Sequence, residues 1–310
     1  MKESRKITEG AILLGIYIVL LLITLYAPVI SIISLLALPL PFVLYAARYD
    51  IKFSIWFIVL ANFISMLFGS PLALMISLPA TTVGIVMGYL FSKQKDRYAI
   101  LGAATGVYLA NYILLYVLTI LLFQLDLAQL MEEASAQSVQ TAESMLNALG
   151  QETTEEVIAT YNTMIQQVLY LLPSLLVLAS FISAWISQYL AGIFLRKFKV
   201  EVKPFPPLRE LVLPKSLLWY YLVVIILSLM SLEEGTTFYI AIVNLSFILM
   251  ILMTIQGFSF LFYFFSTKGM SKAIPITILI ISFLMPPLLY IIRMIGIIDI
   301  GFDLRKRLQK

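Results

Sequence analysis

Apolar runs long enough to cross a lipid bilayer follow one another almost from end to end of this chain, and they restrict what it can fold into. A hydrocarbon layer about 30 Å thick takes a helix of about 20 apolar residues, whereas a barrel strand takes about ten residues of alternating polarity. The runs here are continuous, at approximately 7–26, 29–47, 52–69, 72–91, 98–123, 166–195, 216–232, 237–266 and 273–298. The expected fold class is all-α, a polytopic transmembrane helix bundle of about nine apolar spans. Charged residues are only 12% of the 310, about half of what a water-soluble surface requires. The basic start ahead of the first run has the look of a signal peptide, but the run is too long and no small-residue cleavage site follows. It is expected to stay as the first helix.

Orientation follows from the basic residues, because cytoplasmic loops keep an excess of lysine and arginine. With the N-terminus inside, Lys2, Arg5, Lys6, Arg48, Lys52, Lys93, Lys95, Arg97, Arg196, Lys197, Lys199, Lys203, Arg209, Lys215, Lys268 and Lys272 all fall inside, and the outer loops of the first eight spans hold none. Those outer loops carry acids instead, among them Asp126, Glu132, Glu143, Glu233 and Glu234. A bacterial plasma membrane is the expected location.

Two connections are long. The outer one, 124–167, has seven acidic residues and no basic one. Gly150 stands where a helix would stop, and Thr153 with Glu156 has capping-box spacing, so an external helical hairpin is expected. The inner one, 196–215, is basic and contains Pro204, Pro206, Pro207 and Pro214, which forbid one continuous helix. This elbow divides the chain into a six-span membrane unit over 1–195 and a C-terminal membrane unit over 216–310 with a charged tail.

The chain has no cysteine and no histidine, which removes thiol chemistry, disulfides, the usual zinc sites and imidazole bases. It has no phosphate-cradling P-loop, so uphill transport would draw on a partner or a gradient. The scattered basic residues are no nucleic-acid footprint. Acids are missing from the centres of the spans, which argues against proton carriage and against an intramembrane aspartyl hydrolase. No enzyme activity, cofactor or metal site is expected.

Amides inside spans need partners. Asn62, Asn111, Asn244 and Gln256 are the candidate ligand-binding residues, with Gln188 a further amide within a span; hydrogen bonding between helices is the plainer reading of each. Small residues four apart, Ala11/Gly15, Gly84/Gly88 and Gly102/Gly106, let helix backbones approach. Each pair is expected to pack within the protein, and Ala11/Gly15 on the first helix is the candidate for docking another subunit.

The closing segment IGIIDIGFDLRKR follows a run that already contains Arg293. A ninth crossing would put Arg305, Lys306 and Arg307 outside, against the charge rule. Folding back at Pro286-Pro287 would avoid this, but requires a turn whose bare backbone groups are buried. A kinked crossing is the expected solution, with Arg293 snorkelling, Asp303 paired to Arg307 and the tail acting as an anchor.

The elbow with Phe205, Leu213-Pro214 and Trp219, then Asn244, Gln256-Gly257, Gly296, Asp299, Asp303 and Arg305, resembles the YybS-type family of uncharacterised bacterial membrane proteins. The stretch from SLLALPLPFVLYAARYD through PATTVGIVMGYLFSKQKDRY is similar to the S components of energy-coupling-factor transporters. That second resemblance implies a six-helix unit that captures a small molecule and relies on a coupling subunit and two ATPases, with Ala11 and Gly15 against the coupling subunit. The expected function is small-molecule capture or transport without an ATPase of its own. The alternative is a membrane scaffold or regulatory protein that gathers partners through its inner loops and hairpin.

Overall fold

A computed structural model describes residues 2–123, 133, 136, 137, 139–141, 144, 155–230 and 232–308. Among them the regular structure is helical throughout. The helices are α1 (Lys2–Tyr26), α2 (Ser31–Ala37), α3 (Leu40–Arg48), α4 (Ile51–Gly69), α5 (Leu74–Ser92), α6 (Arg97–Phe123), α7 (Glu155–Tyr170), α8 (Leu172–Lys197), α9 (Ser216–Ser228), α10 (Thr237–Thr267), α11 (Ala273–Leu284), α12 (Pro286–Phe302) and α13 (Leu304–Leu308). Among the described residues, seven stretches are long and apolar enough to cross a membrane, while Ser216–Ser228 and Ala273–Leu284 are shorter apolar helices. Large apolar side chains such as Trp56, Phe63 and Leu67 on α4 are exposed, as faces covered by lipid would be. The all-α polytopic class stands. The first arm of the expected external hairpin and its Thr153 cap lie outside the described residues.

The described parts fall into two compact units, Met1–Ala134 with Leu175–Pro204, and Ser135–Ser174 with Phe205–Lys310. The second unit thus takes in Glu155–Ser174, which the sequence reading grouped with the first six spans.

In the first unit, α5 lies close against α3. A Cβ on Gly84 would run into Phe42 and the Pro39 carbonyl, and one on Gly88 into the Val43 carbonyl and Ala46. The small pair is what allows this approach. Tyr17, Phe42, Leu44 and Met87 are fully buried around it, with the Phe42 ring 4.9 Å from Tyr17 and 5.0 Å from Phe57. The basic helix ends meet at one end of this unit. Arg48 pairs with Glu9 at 3.2 Å and donates to the Phe198 carbonyl at 2.8 Å; Lys6 approaches Asp50, and Lys203 donates to the Gln94 carbonyl. Tyr49 donates to Glu9 at 2.6 Å; burial, then this carboxylate, pushes its phenol up to about 12.

In the second unit, Val224, Ile242 and Leu249 join α9 to α10. The segment 273–302 does not cross as one kinked helix, and this corrects the expected ninth crossing. Helix α11 starts beside Ser266, where Lys272 and Ser266 line one cleft, and α12 delivers Arg305 back to Ser266, where both line another. Lys272 and Arg305 therefore lie at the same end of α10. At 12 residues α11 is about 18 Å long, too short to span.

The turn needs less burial than expected because of what its prolines lack. A helix start normally leaves four N–H groups bare, but Pro286 and Pro287 have none, and the Leu288 N–H bonds the Met285 carbonyl at 2.9 Å. Phe283 and Leu284 can accordingly stand exposed beside the turn. The fold-back also reunites the tail with the other basic segments of its unit.

Candidate functional site

The four amides singled out from the sequence have different surroundings. Asn62 spends both amide hydrogens, on the Ile58 carbonyl at 2.9 Å and Thr81 Oγ1 at 3.1 Å, and accepts from Ser77 at 2.6 Å. Asn111 donates to Thr82 Oγ1 at 3.0 Å and to the Val107 carbonyl at 2.7 Å. Both amides thus tie neighbouring helices to adjacent threonines of α5.

Asn244 serves a broken helix. Pro173 cannot donate, and its ring clashes with the carbonyl four residues back, so α7 and α8 part at Leu171. The Ser174 N–H and the Tyr170 carbonyl, which would bond each other in a continuous helix, both bond Asn244 instead, at 2.8 Å and 2.6 Å. One side-chain amide replaces the lost backbone bond.

Gln256 is drawn into a larger constellation. Gly257 and Gly296 meet where α10 crosses α12, so close that a Cβ on either would overlap backbone, the Ile292 carbonyl in one case and the Met253 carbonyl in the other. The crossing sets the fully buried Gln256 against Asp299, itself 3% exposed, with Nε2 donating to Oδ2 at 2.6 Å. Helix α12 ends where Asp303 turns left-handed (φ 50, ψ 49), which swings Arg305 back over Asp299. Arg305 Nε reaches the same Oδ2 at 3.0 Å, Nη1 donates to the Arg209 carbonyl at 2.8 Å, and Nη2 to Ser259 Oγ at 2.8 Å. The planar guanidinium fork can serve three acceptors in this way; a lysine would not reproduce it.

These side chains also hold the elbow. A proline-rich extended segment has no helical partners for its backbone groups, so they must find others. The Leu213 N–H bonds Gln256 Oε1 at 2.9 Å, and Ser259 Oγ lies within reach of the Leu208 and Leu211 carbonyls, at 2.7 Å and 2.6 Å. Asp303 is paired not to Arg307 as expected but to Lys215, at 2.6 Å. That ammonium holds its carboxyl below the usual carboxylate range. Arg293 rests over the Tyr290 ring at 4.9 Å, with its Nε buried and lacking a hydrogen bond.

Two clefts flank Arg209. One, of about 420 Å³, is lined by Arg209, Glu210, Tyr263, Ser266, Thr267 and Arg305 among others. The other, of about 410 Å³, has Arg209 and Lys272 over a wall that includes Phe262, Phe265, Met270 and Pro275. Arg209 itself is steadied by Ser266 Oγ at 2.7 Å. The constellation of Asp299, Arg305, Ser259 and the elbow carbonyls was not assembled in advance from sequence. Its members were visible as isolated polar points in apolar runs, but the left-handed turn at Asp303 that joins them was not.

The first unit keeps open small-residue faces. Ala11 is exposed, and a Cβ added at Gly15, Gly102 or Gly106 would meet nothing within 4 Å. Of the three expected packing pairs, only Gly84/Gly88 brings helices of the described chain together.

Helical membrane architecture, the Gly257/Gly296 crossing and the tail returned to the elbow define a class of polytopic membrane protein. The chain belongs to the family described as predicted membrane protein (DUF2232), whose model matches residues 15–300. It is 30% identical over 310 residues to the Bacillus subtilis (strain 168) protein named uncharacterized protein YybS, covering 100% of both chains. No solved structure matches it.

Proposed function

We propose that this membrane protein captures a small anionic molecule and passes it on without an ATPase of its own. The observation that supports this most is the open cleft at the elbow. Its volume of about 420 Å³ is within the usual size of small-ligand sites, and its lining has two cations, Arg209 and Arg305, against one acid, Glu210, with the hydroxyls of Ser266 and Thr267 beside them. Asp299 holds Arg305 from behind and offsets its charge, which leaves Arg209 as the cation a ligand would meet. Asn62 and Asn111, by contrast, spend their donors on the helices around them, which moves the capture reading from the first unit to the second.

The reading places the chain in a bacterial plasma membrane with its N-terminus and elbow in the cytoplasm. The distribution of lysine and arginine supports this. It includes no catalytic step. Purification from native membranes, with mass spectrometry of retained water-soluble molecules, tests it: an anionic compound retained by the wild type and lost from Arg209→Gln is the expected result. Identical retained sets in the two proteins would refute it.

A partner-gathering role is favoured by a separate observation, the bare Ala11/Gly15 face on α1. A coupling subunit with its ATPases would dock there in the S-component-like reading, or other membrane partners in the scaffold reading. Gly15→Leu should then remove copurifying proteins without reducing membrane abundance.

A further inference from the structure

We infer that the second cleft at Arg209 is a seat for an acidic phospholipid, with its phosphate on Arg209 and Lys272 and an acyl chain along Phe262, Phe265 and Pro275. Charge is the first argument. The cleft has two cations in its lining and no acid, unlike its neighbour, which includes Glu210. Arg209 is already turned into place by Ser266 Oγ at 2.7 Å, so a phosphate would meet an ordered guanidinium with unspent N–H groups.

The second argument is the direction in which polarity changes. Thr267 and Lys268 end the 31-residue apolar α10, Lys272 opens α11, and together they mark the headgroup level. Phe262 is six residues before Lys268, about 9 Å deeper by helical rise. The cleft therefore runs from paired cations at the surface to aromatic and proline surface below it. A soluble phosphate would use only the upper end, whereas a phospholipid matches both. Basic pockets between membrane helices on the headgroup side suit such lipids in general. The two clefts share Arg209 and Ser266 and are told apart by Lys272, which lines only the lipid seat, and Arg305, which lines only the capture cleft.

The full-length protein in detergent can be titrated with phosphatidylglycerol and with phosphatidylcholine of the same acyl chains, with bound lipid read by native mass spectrometry. Phosphatidylglycerol should be retained more tightly, by about fivefold for each cation engaged. Lys272→Gln should lose about fivefold of that preference, and Arg209→Gln with Lys272→Gln should abolish it. Lys268→Gln, an exposed neighbour outside the lining, should keep it. Equal retention of the two lipids by the wild type would overturn the assignment. An equal loss in Lys268→Gln would do the same, by reducing the effect to diffuse surface charge. Displacement of phosphatidylglycerol by equimolar inorganic phosphate would also sink it, because a free anion would then suffice. Melting curves of each variant identify any that fail to fold, and the milder Lys272→Gln carries the test if the double variant does.

Discussion

One oxygen of Asp299 accepts from both Gln256 and Arg305 in a site that solvent barely reaches. Removing one partner of a buried ion pair leaves the other charge uncompensated and costs about 3–5 kcal/mol. Asp299→Asn is therefore expected to lower stability by about that amount in detergent denaturation, with elbow proteolysis accelerated. A change within experimental error would mean that Arg305 finds water or lipid phosphate instead. Gly296→Ala should cost about 1–3 kcal/mol or more, since the added methyl group would overlap the Met253 carbonyl at the helix crossing. Asp303 behaves differently. Lys215 lowers its folded pKa, so its contribution is present above the ordinary carboxylate value and is lost as pH falls through the depressed one. The melting-temperature difference between wild type and Asp303→Asn should persist at about pH 6, begin to shrink near the ordinary carboxylate value of about 4, and vanish only below the depressed one.

Helix breaks decide what each element does here. Asn244 bridges the backbone groups that Pro173 separates, so its value depends on the proline. Asn244→Ala should cost about 1–3 kcal/mol for each buried backbone group left unpaired, and clearly less when Pro173→Ala lets α7 and α8 re-form their own bond. Equal costs in the two backgrounds would show that the amide acts elsewhere. The proline and the asparagine were both legible in the sequence, 71 positions apart; nothing local could show that they belong together. The same limit explains the ninth run. Its apolar length favoured a crossing, and the objection to folding back counted N–H groups that Pro286 and Pro287 do not possess. With cysteines placed singly at Ser271 and Leu308, an impermeant thiol reagent should reach both from the same face of the membrane. Labelling from opposite faces would restore the crossing.

At the scale of the molecule, composition alone announced a helical membrane protein, because bilayer thickness and backbone hydrogen bonding leave few other solutions for so apolar a chain. Charge distribution carried the tail problem as well: a chain that otherwise segregates its basic residues had no reason to strand Arg305, Lys306 and Arg307 apart. The site was less readable, since its chemistry depends on a left-handed residue and two glycines that bring distant polar points within hydrogen-bond reach. The re-entrant pair α11 and α12 has one further consequence. Because it leaves and returns at the same end of its unit, it contributes nothing to the parity of the crossings. Losing a true crossing helix inverts everything downstream, whereas this hairpin can be shortened, exchanged or deleted without reversing the sidedness of any other loop. The Asp299–Arg305 fastening is thus carried on an element that sets no sidedness but its own, so its place at the elbow is held by packing and hydrogen bonds and not by the count of crossings.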